Sequence, residues 1–205
     1  MRNNFCKKLL FSGALVLGAT IAGAQSAPIH DSRPVIIDVA GTIIFEHSQI
    51  AQKNGNRFWP KGGGVNAAFT VWKGVGLAVD VSGEHASNIQ NGVNLGKFSV
   101  MAGPRYTFNL VRPGEAAFGE HRPRAFVQGL FGPTHAFDSL FPGPTSLSTS
   151  ANALSVKLGG GVDVPMSNNF AVRAFEMGWI HSDYSNAAAD VQNDFRIGFG
   201  LTYRR

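Results

Sequence analysis

The stretch Gln192-Asn-Asp-Phe-Arg-Ile-Gly-Phe-Gly-Leu-Thr-Tyr-Arg-Arg205 decides how the rest of the chain is read. In it Phe195, Ile197, Phe199, Leu201 and Tyr203 alternate with Asp194, Arg196, Gly198, Gly200 and Thr202. A period of two is an extended strand with one large apolar face and one small or charged face. A soluble sandwich would bury the apolar face as core, and a membrane barrel would turn it to lipid. The choice between them rests on the other strands.

Working back from that stretch, the same alternation recurs seven times. Over 34–47, Ile37, Val39, Ile43 and Phe45 oppose Asp38, Ala40, Thr42 and Glu46. Over 58–72, Val65, Ala67, Phe69 and Val71 oppose Asn66, Ala68 and Thr70; Lys73-Gly74 then has the length of a tight hairpin turn before a third strand starts at Val75. That third strand sets Val75, Leu77, Val79 and Val81 against Gly76, Ala78, Asp80, Ser82 and Glu84. The Asn- and Gly-rich segment 86–96 reads as loop. The fourth strand, 97–110, carries Pro104, which lacks a ladder donor and predicts a local irregularity.

A longer turn covers 111–122, and a weaker fifth strand spans 123–137, with Phe126, Gln128 and Leu130 on one face. The Pro-, Ser- and Thr-rich segment 138–150 reads as loop. The sixth strand, 152–164, is regular. In the seventh, 170–184, Arg173 and Glu176 are three apart, so strict alternation would send one of them to the apolar side; a bulge near Phe175 is expected instead. The strand count is even, and connections one, three, five and seven are long and polar while two and six are short. Connection four alone breaks the rule. This is the layout of an all-β, eight-stranded antiparallel up-and-down transmembrane β-barrel over 34–205.

The start of the chain reads as an export signal. Residues 1–24 contain Arg2, Lys7 and Lys8, an apolar run from Leu9 to Ile21, and Ala22-Gly23-Ala24 as a small-residue cleavage site; 25–33 is a linker. Removing those three cations lowers the formal charge from +5 to +2. The basic pI therefore belongs largely to the signal, and no nucleic-acid partner is expected. Cys6, the one cysteine, lies in the signal, so no disulfide or thiol chemistry is expected of the mature chain.

The small-residue row carries charges of both signs, nearly balanced, which a narrow barrel tolerates inside only when they are paired. Asp38, Glu46, Lys97 and Asp194 lie on that row, and Asp80, Glu84, Arg105, Lys157, Asp163, Arg173 and Arg196 are expected to form an interior charge network of structural role. The opposite row is almost free of charge. Trp72, Tyr106, Phe108 and Tyr203 fall at the ends expected to face the periplasm, and Trp59, Phe137 and Tyr184 at the outer ends, as an aromatic girdle would.

In layout the chain resembles the small eight-stranded outer-membrane β-barrels, the group like the OmpA transmembrane domain or OmpX of Gram-negative bacteria. The residues that carry the likeness are Ala102-Gly-Pro-Arg-Tyr-Thr-Phe108, Gly161-Val-Asp-Val-Pro165, Gln192-Asn-Asp-Phe-Arg196 and Gly200-Leu-Thr-Tyr203. The resemblance implies an outer-membrane location, partners in outer-membrane lipid and lipopolysaccharide, and insertion by the assembly machinery. The family's C-terminal assembly signal is matched by Arg196, Gly198, Leu201 and Tyr203. The family usually ends in Phe; here Arg204-Arg205 follow.

Chemistry is otherwise sparse. The histidines have no metal-site spacing, and the triple glycines 62–64 and 159–161 lack a following Lys-Ser/Thr and helix, so no metal and no cofactor are expected. The run His181-Ser-Asp-Tyr-Ser185-Asn-Ala187 is similar to the His-x-Ser-Asn-Ala motif of lipid A deacylases. Here the serine is four positions on, about 13 Å along a strand and beyond proton transfer. The expected role is a structural, adhesive or surface-interaction barrel, with no catalytic residue. A lipid A deacylase-like hydrolase and a soluble secreted β-sandwich binding protein stand as alternatives.

Overall fold

The computed structural model describes residues 35–49, 57–90, 93–110, 122–142, 147–184 and 191–205. The export signal, the linker, Ser185 and most of connection four lie outside the described residues. Eight long strands make up the fold: β1 Ile36–Gln49, β2 Lys61–Trp72, β3 Val75–Gln90, β4 Val93–Asn109, β5 Arg124–Pro142, β6 Leu147–Pro165, β7 Phe170–Tyr184 and β8 Val191–Arg204. Each pairs antiparallel with the next, and β8 pairs back to β1 through ten register partners from Asp38↔Arg204 to His47↔Phe195. The chain is thus an all-β, closed eight-stranded antiparallel barrel. The two-residue strand Arg57–Phe58 extends the far end of β1 by pairing with Ser48 and Gln49.

The stagger is read directly from the register. From Ile36 the ladder runs through Thr70, Gly76, Arg105, Gln128, Gly159, Gly178 and Arg196, and it returns to β1 at Glu46. The offset from Ile36 to Glu46 is ten residues, which tilts the strands and leaves an interior that side chains can fill. Closure removes the exposed edges that a sandwich would have to protect, and the sandwich alternative is excluded by it.

Local chemistry explains the turns and the close approaches. Lys73 and Gly74 both have positive φ, 46° and 88°, the requirement of a tight hairpin whose twist matches its strands. Gly161 faces Phe126, and a Cβ there would lie 2.9 Å from the ring, so the glycine makes room for a large inward side chain. In β7 the register against both neighbours shifts between Arg173 and Glu176. The bulge falls at 174–175, and both charges stay inside.

Three expectations need correction. Most of 86–96 and 138–150 is strand, since β3 reaches Gln90, β4 starts at Val93, β5 reaches Pro142 and β6 starts at Leu147. Ser, Asn and Gly read as loop locally, but the ladder continues through Ala86↔Leu95, Gln90↔Val93, Phe137↔Ser150 and Phe141↔Ser148, and the turn chemistry is confined to irregular stretches at 87–89 and 138–140, where Asn88 and Asp138 have positive φ. The register of β4 passes Pro104, opposite Leu77, without a shift, and the expected irregularity is confined to the other side, where the ladder to β5 skips Gly103 and Pro104 between Ala102↔Phe131 and Arg105↔Gln128. Tyr184 is buried against Leu95, Ala136, Ala151 and Ala153, with Phe58, Ile89 and Phe141 packed around them. It caps the interior and cannot belong to a lipid-facing girdle, because its even position in β7 shares the inward face with Ile180 and Ser182.

Candidate functional site

Alternation sends the small and charged row of every strand inward. There the charges join into one continuous chain of contacts. Lys97 on β4 binds Glu46 on β1 and lies 3.0 Å from Asp194 Oδ2 on β8. Arg196 on β8 reaches Glu84 Oε1 at 2.5 Å, Glu46 Oε2 at 3.3 Å and Asp80 Oδ1 at 3.4 Å. Lys157 on β6 continues from Asp80 Oδ2 at 3.3 Å to Glu176 Oε1 at 2.8 Å. Arg173 links Glu176 Oε2 at 2.8 Å to Asp163 Oδ1 at 2.9 Å. Arg105 donates to Asn66 Oδ1 at 2.8 Å and stands 3.8 Å from Asp163 Oδ2.

Each of these ionic side chains is nearly inaccessible to solvent. A lone buried charge would cost several kcal/mol; here each carboxylate meets a cation and each cation a carboxylate or amide oxygen, so the set is viable only together. Phe126 lies between two guanidiniums, with Arg105 Cζ 3.7 Å and Arg173 Cζ 4.6 Å from its ring centre. Ala68, Ala78, Met101, Leu130 and Ile180 pack together beside the network and fill the remaining width. Side chains occupy the lumen at the level of the network, and a cavity of about 330 Å³ lined by Asp38, Thr70, Thr107 and Arg124 remains at the turn end.

All seven residues singled out for the network, Asp80, Glu84, Arg105, Lys157, Asp163, Arg173 and Arg196, are brought together. Glu46, Lys97 and Asp194 belong to the same cluster and were already legible as inward by alternation. Glu176 enters only through the bulge. Asn66 and Phe126 carried no charge signal. At the turn end, Arg204 pairs with Asp38 at 2.5 Å and 3.2 Å, closing the seam where the backbones of Ile37 and Arg205 exchange two hydrogen bonds of 2.9 Å.

Of the residues singled out as an assembly signal, Arg196 and Gly198 point inward and Leu201 and Tyr203 outward. Trp59, Trp72, Tyr106, Phe108, Phe137 and Tyr203 are exposed on the outer wall. Tyr106 stacks on Phe108 at 5.8 Å, and Phe170 packs against Tyr203 at 5.4 Å, so two aromatic pairs mark the turn end. Between the ends the wall exposes Val65, Phe69, Leu77, Val100, Phe131, Leu158, Phe199 and Leu201, among others. A soluble monomer does not expose an apolar surface that runs round its circumference. Hydrocarbon is the medium that fits it, and closed β-barrels span it because no backbone group is left unpaired.

Of the run similar to the deacylase motif, His181 and Ser182 face opposite sides of the wall, and Ser185 lies outside the described residues. His181 Nδ1 lies 2.9 Å from Asn193 Oδ1 on the outer wall, while Ser182 Oγ is inside, 2.7 Å from Ser155 Oγ.

No protein-family model matches the chain, and a search of curated proteins finds no match. Solved structures do match. The attachment invasion locus protein Ail of Yersinia pestis, in complex with the heparin analogue sucrose octasulfate, aligns over 84% of this chain and 100% of its own, with a TM-score of 0.53 at 16% identity. Neisserial surface protein A aligns over 82% of this chain and 96% of its own, with a TM-score of 0.57 at 12% identity. The fold is that of the small eight-stranded outer-membrane β-barrels. With the apolar wall, that fold fits a lipid bilayer crossed by strands.

Proposed function

We propose that this protein is a non-enzymatic surface barrel of the outer membrane, with a structural or adhesive role and a plugged lumen. The observation that carries the reading is the unbroken ion network from Lys97 and Glu46 to Asp163 and Arg105, which leaves no wide aqueous path. A rigid, filled barrel is a platform, and what differs between such platforms is the end they present. Strands β3 to β6 run for 16, 17, 19 and 19 residues, against 12 to 15 for the other four. Their extra length lies at the end opposite the Lys73-Gly74 hairpin, and so on the cell's outer side when short turns face the periplasm. That end offers Ser87, Asn88, Asn94, Asp138, Leu140, Ser148 and Ser150, a polar, weakly charged surface with one large apolar residue.

The attachment role in the name of Ail and the surface location in the name of the Neisserial protein agree with this reading. Outer-membrane lipid and lipopolysaccharide are its surroundings, the assembly machinery its partner during insertion, and residues 1–24 its export signal. The test has two arms. Planar bilayers containing the folded protein should show no sustained open-channel conductance, and cells displaying it should bind host-cell or matrix-coated surfaces more than cells carrying a variant whose 87–94 and 138–150 tips are cut back to tight turns. A stable open channel would contradict the plugged lumen, and equal adhesion would remove the adhesive role.

A further inference from the structure

The charges inside the barrel are not spread evenly along it. Among the described residues the outer half holds Glu46, Asp80, Glu84 and Asp194 against Lys97 and Arg196. The turn end holds Arg105, Arg124, Arg173 and Arg204 against Asp38 and Asp163. Lys157 and Glu176 pair with each other between the two groups. The cavity of about 330 Å³ lies at the cation-rich end, with Asp38, Thr70, Thr107, Asn109 and Arg124 in its lining. That volume holds a small polyatomic ion together with several waters, each of which takes about 30 Å³.

The four guanidiniums of this end differ in what they grip. Arg173 turns its Nε–Nη2 edge to Asp163, at 2.9 Å and 3.3 Å, and Arg204 turns the same edge to Asp38, at 2.5 Å and 3.2 Å. This is the fork that matches two oxygens on one centre. Each of the two carboxylates is thereby matched to one cation. Arg105, 3% exposed, gives Nη1 to Asn66 deeper in the barrel, and Phe126 covers a face of its guanidinium. Its Nε and Nη2, the same edge, are buried and hydrogen-bond to no protein acceptor; Asp163 Oδ2 stays 3.8 Å from Nη2. Asp163 is the register partner of Arg124, so this edge faces the inner end of the cavity. Thr107, two residues nearer the turn, lines the cavity with a buried hydroxyl that has no partner. Gln128, register partner of Arg105, has neither amide atom hydrogen-bonded. Arg124 is half-buried in the lining and has no hydrogen bond or ion pair among the described residues. Two cations, Arg105 and Arg124, are left without a carboxylate of their own.

We infer that the turn end of the lumen binds a small soluble oxyanion, of which inorganic phosphate is the type, between the Nε–Nη2 edge of Arg105, the Arg124 guanidinium and the Thr107 hydroxyl. The excess of guanidinium repels a metal cation. A halide offers one point where the fork offers two parallel N–H groups, whereas phosphate has two oxygens for the fork and others for Thr107 and Arg124. Its one to two negative charges match the two cations that lack a carboxylate. A lipid headgroup stands outside the wall, so the anion comes from water. The ion network closes the lumen above the site, so the entrance is the turn end, the periplasmic side when short turns face that way. The site stands whether or not the opposite end is adhesive.

The full chain is refolded into detergent micelles in phosphate-free buffer, and its folding is checked by heat-modifiable gel migration. Sodium phosphate is then titrated in by calorimetry, with ionic strength held constant by sodium chloride. One saturable site per chain is expected. Arg105→Gln and Arg124→Gln should each weaken it about tenfold, and Thr107→Val should weaken it less. Arg57→Gln, at the opposite end, should bind as wild type does. Arg124→Gln and Thr107→Val remove no ion pair, so they keep the test decisive if Arg105→Gln does not fold. Sulfate should compete with phosphate, and phosphatidic acid mixed into the micelles should not. A folded wild type with no saturable phosphate heat overturns the site, as does wild-type affinity in both Arg124→Gln and Thr107→Val. Competition by phosphatidic acid but not by sulfate would put the anion on the outer wall and overturn it equally.

Discussion

Glu46 and Arg196 are register partners across the seam that joins the first strand to the last, and Arg196 Nη2 stands 3.3 Å from Glu46 Oε2. Backbone closure and the buried ion network therefore meet at one point. Arg196 also serves Glu84 and Asp80, so three carboxylates depend on it. Replacing Arg196 with Met strands buried negative charge and is expected to cost about 3–5 kcal/mol, read as a drop in the urea midpoint of the vesicle-embedded barrel. Adding Glu46→Gln to that variant should recover part of the loss, because it removes one of the stranded charges.

Phe126 tests whether the network includes its aromatic member. Phe126→Leu removes the ring that both guanidiniums face and leaves a gap beside Gly161. The expected loss is about 1–3 kcal/mol by the same urea titration. No loss would mean that the ring contributes neither packing nor a contact with the guanidiniums.

The bulge in β7 gives an unusual deletion result. Deleting Ala174 leaves one residue between Arg173 and Glu176, so strict alternation still keeps both inside. That variant is expected to fold and to show the heat-modifiable migration of wild type. Deleting Met177 instead shifts one half of the strand by a single residue and sends its inward set to the lipid. It should fail to fold. Equal behaviour of the two deletions would contradict the register given for β7.

Much of this was legible in the sequence because a barrel wall imposes a single rule at nearly every position. The last strand shows it in the row from Phe195 to Tyr203, and the same rule marks Asp80, Lys157 and Arg196 as inward. Where local chemistry and the ladder disagree, the rule was silent. Ser150 looks like a loop residue yet lies in a strand, because Phe137 on the neighbouring strand pairs with it, while Asn88 sits in a bulge with positive φ and gives its N–H to Asn94 Oδ1. Tyr184 looks like an interface aromatic yet caps the interior, since phase outranks residue type. Phe126 reads as a weak strand residue, and only the arrangement in space places it between Arg105 and Arg173.

The outer wall should be sensitive to depth. Phe199→Arg, about half-way along the apolar part of β8, is expected to cost about 2–4 kcal/mol, while Val191→Arg at the outer end should cost no more than about 1 kcal/mol. Refolding equilibria in phospholipid vesicles give both values. Similar costs at the two positions would mean that the wall does not meet a hydrocarbon layer.

The most direct test places single nitroxide labels at each position from 191 to 204 of the folded chain in lipid bilayers and measures relaxation by oxygen and by a water-soluble nickel chelate. Positions 195, 197, 199, 201 and 203 should show high oxygen and low nickel accessibility, and positions 194, 196, 198, 200 and 202 should be low for both, a period of two along the strand. Oxygen accessibility without that period, or nickel accessibility at 197, 199 and 201, would contradict a barrel whose apolar wall faces lipid and whose charges fill its interior.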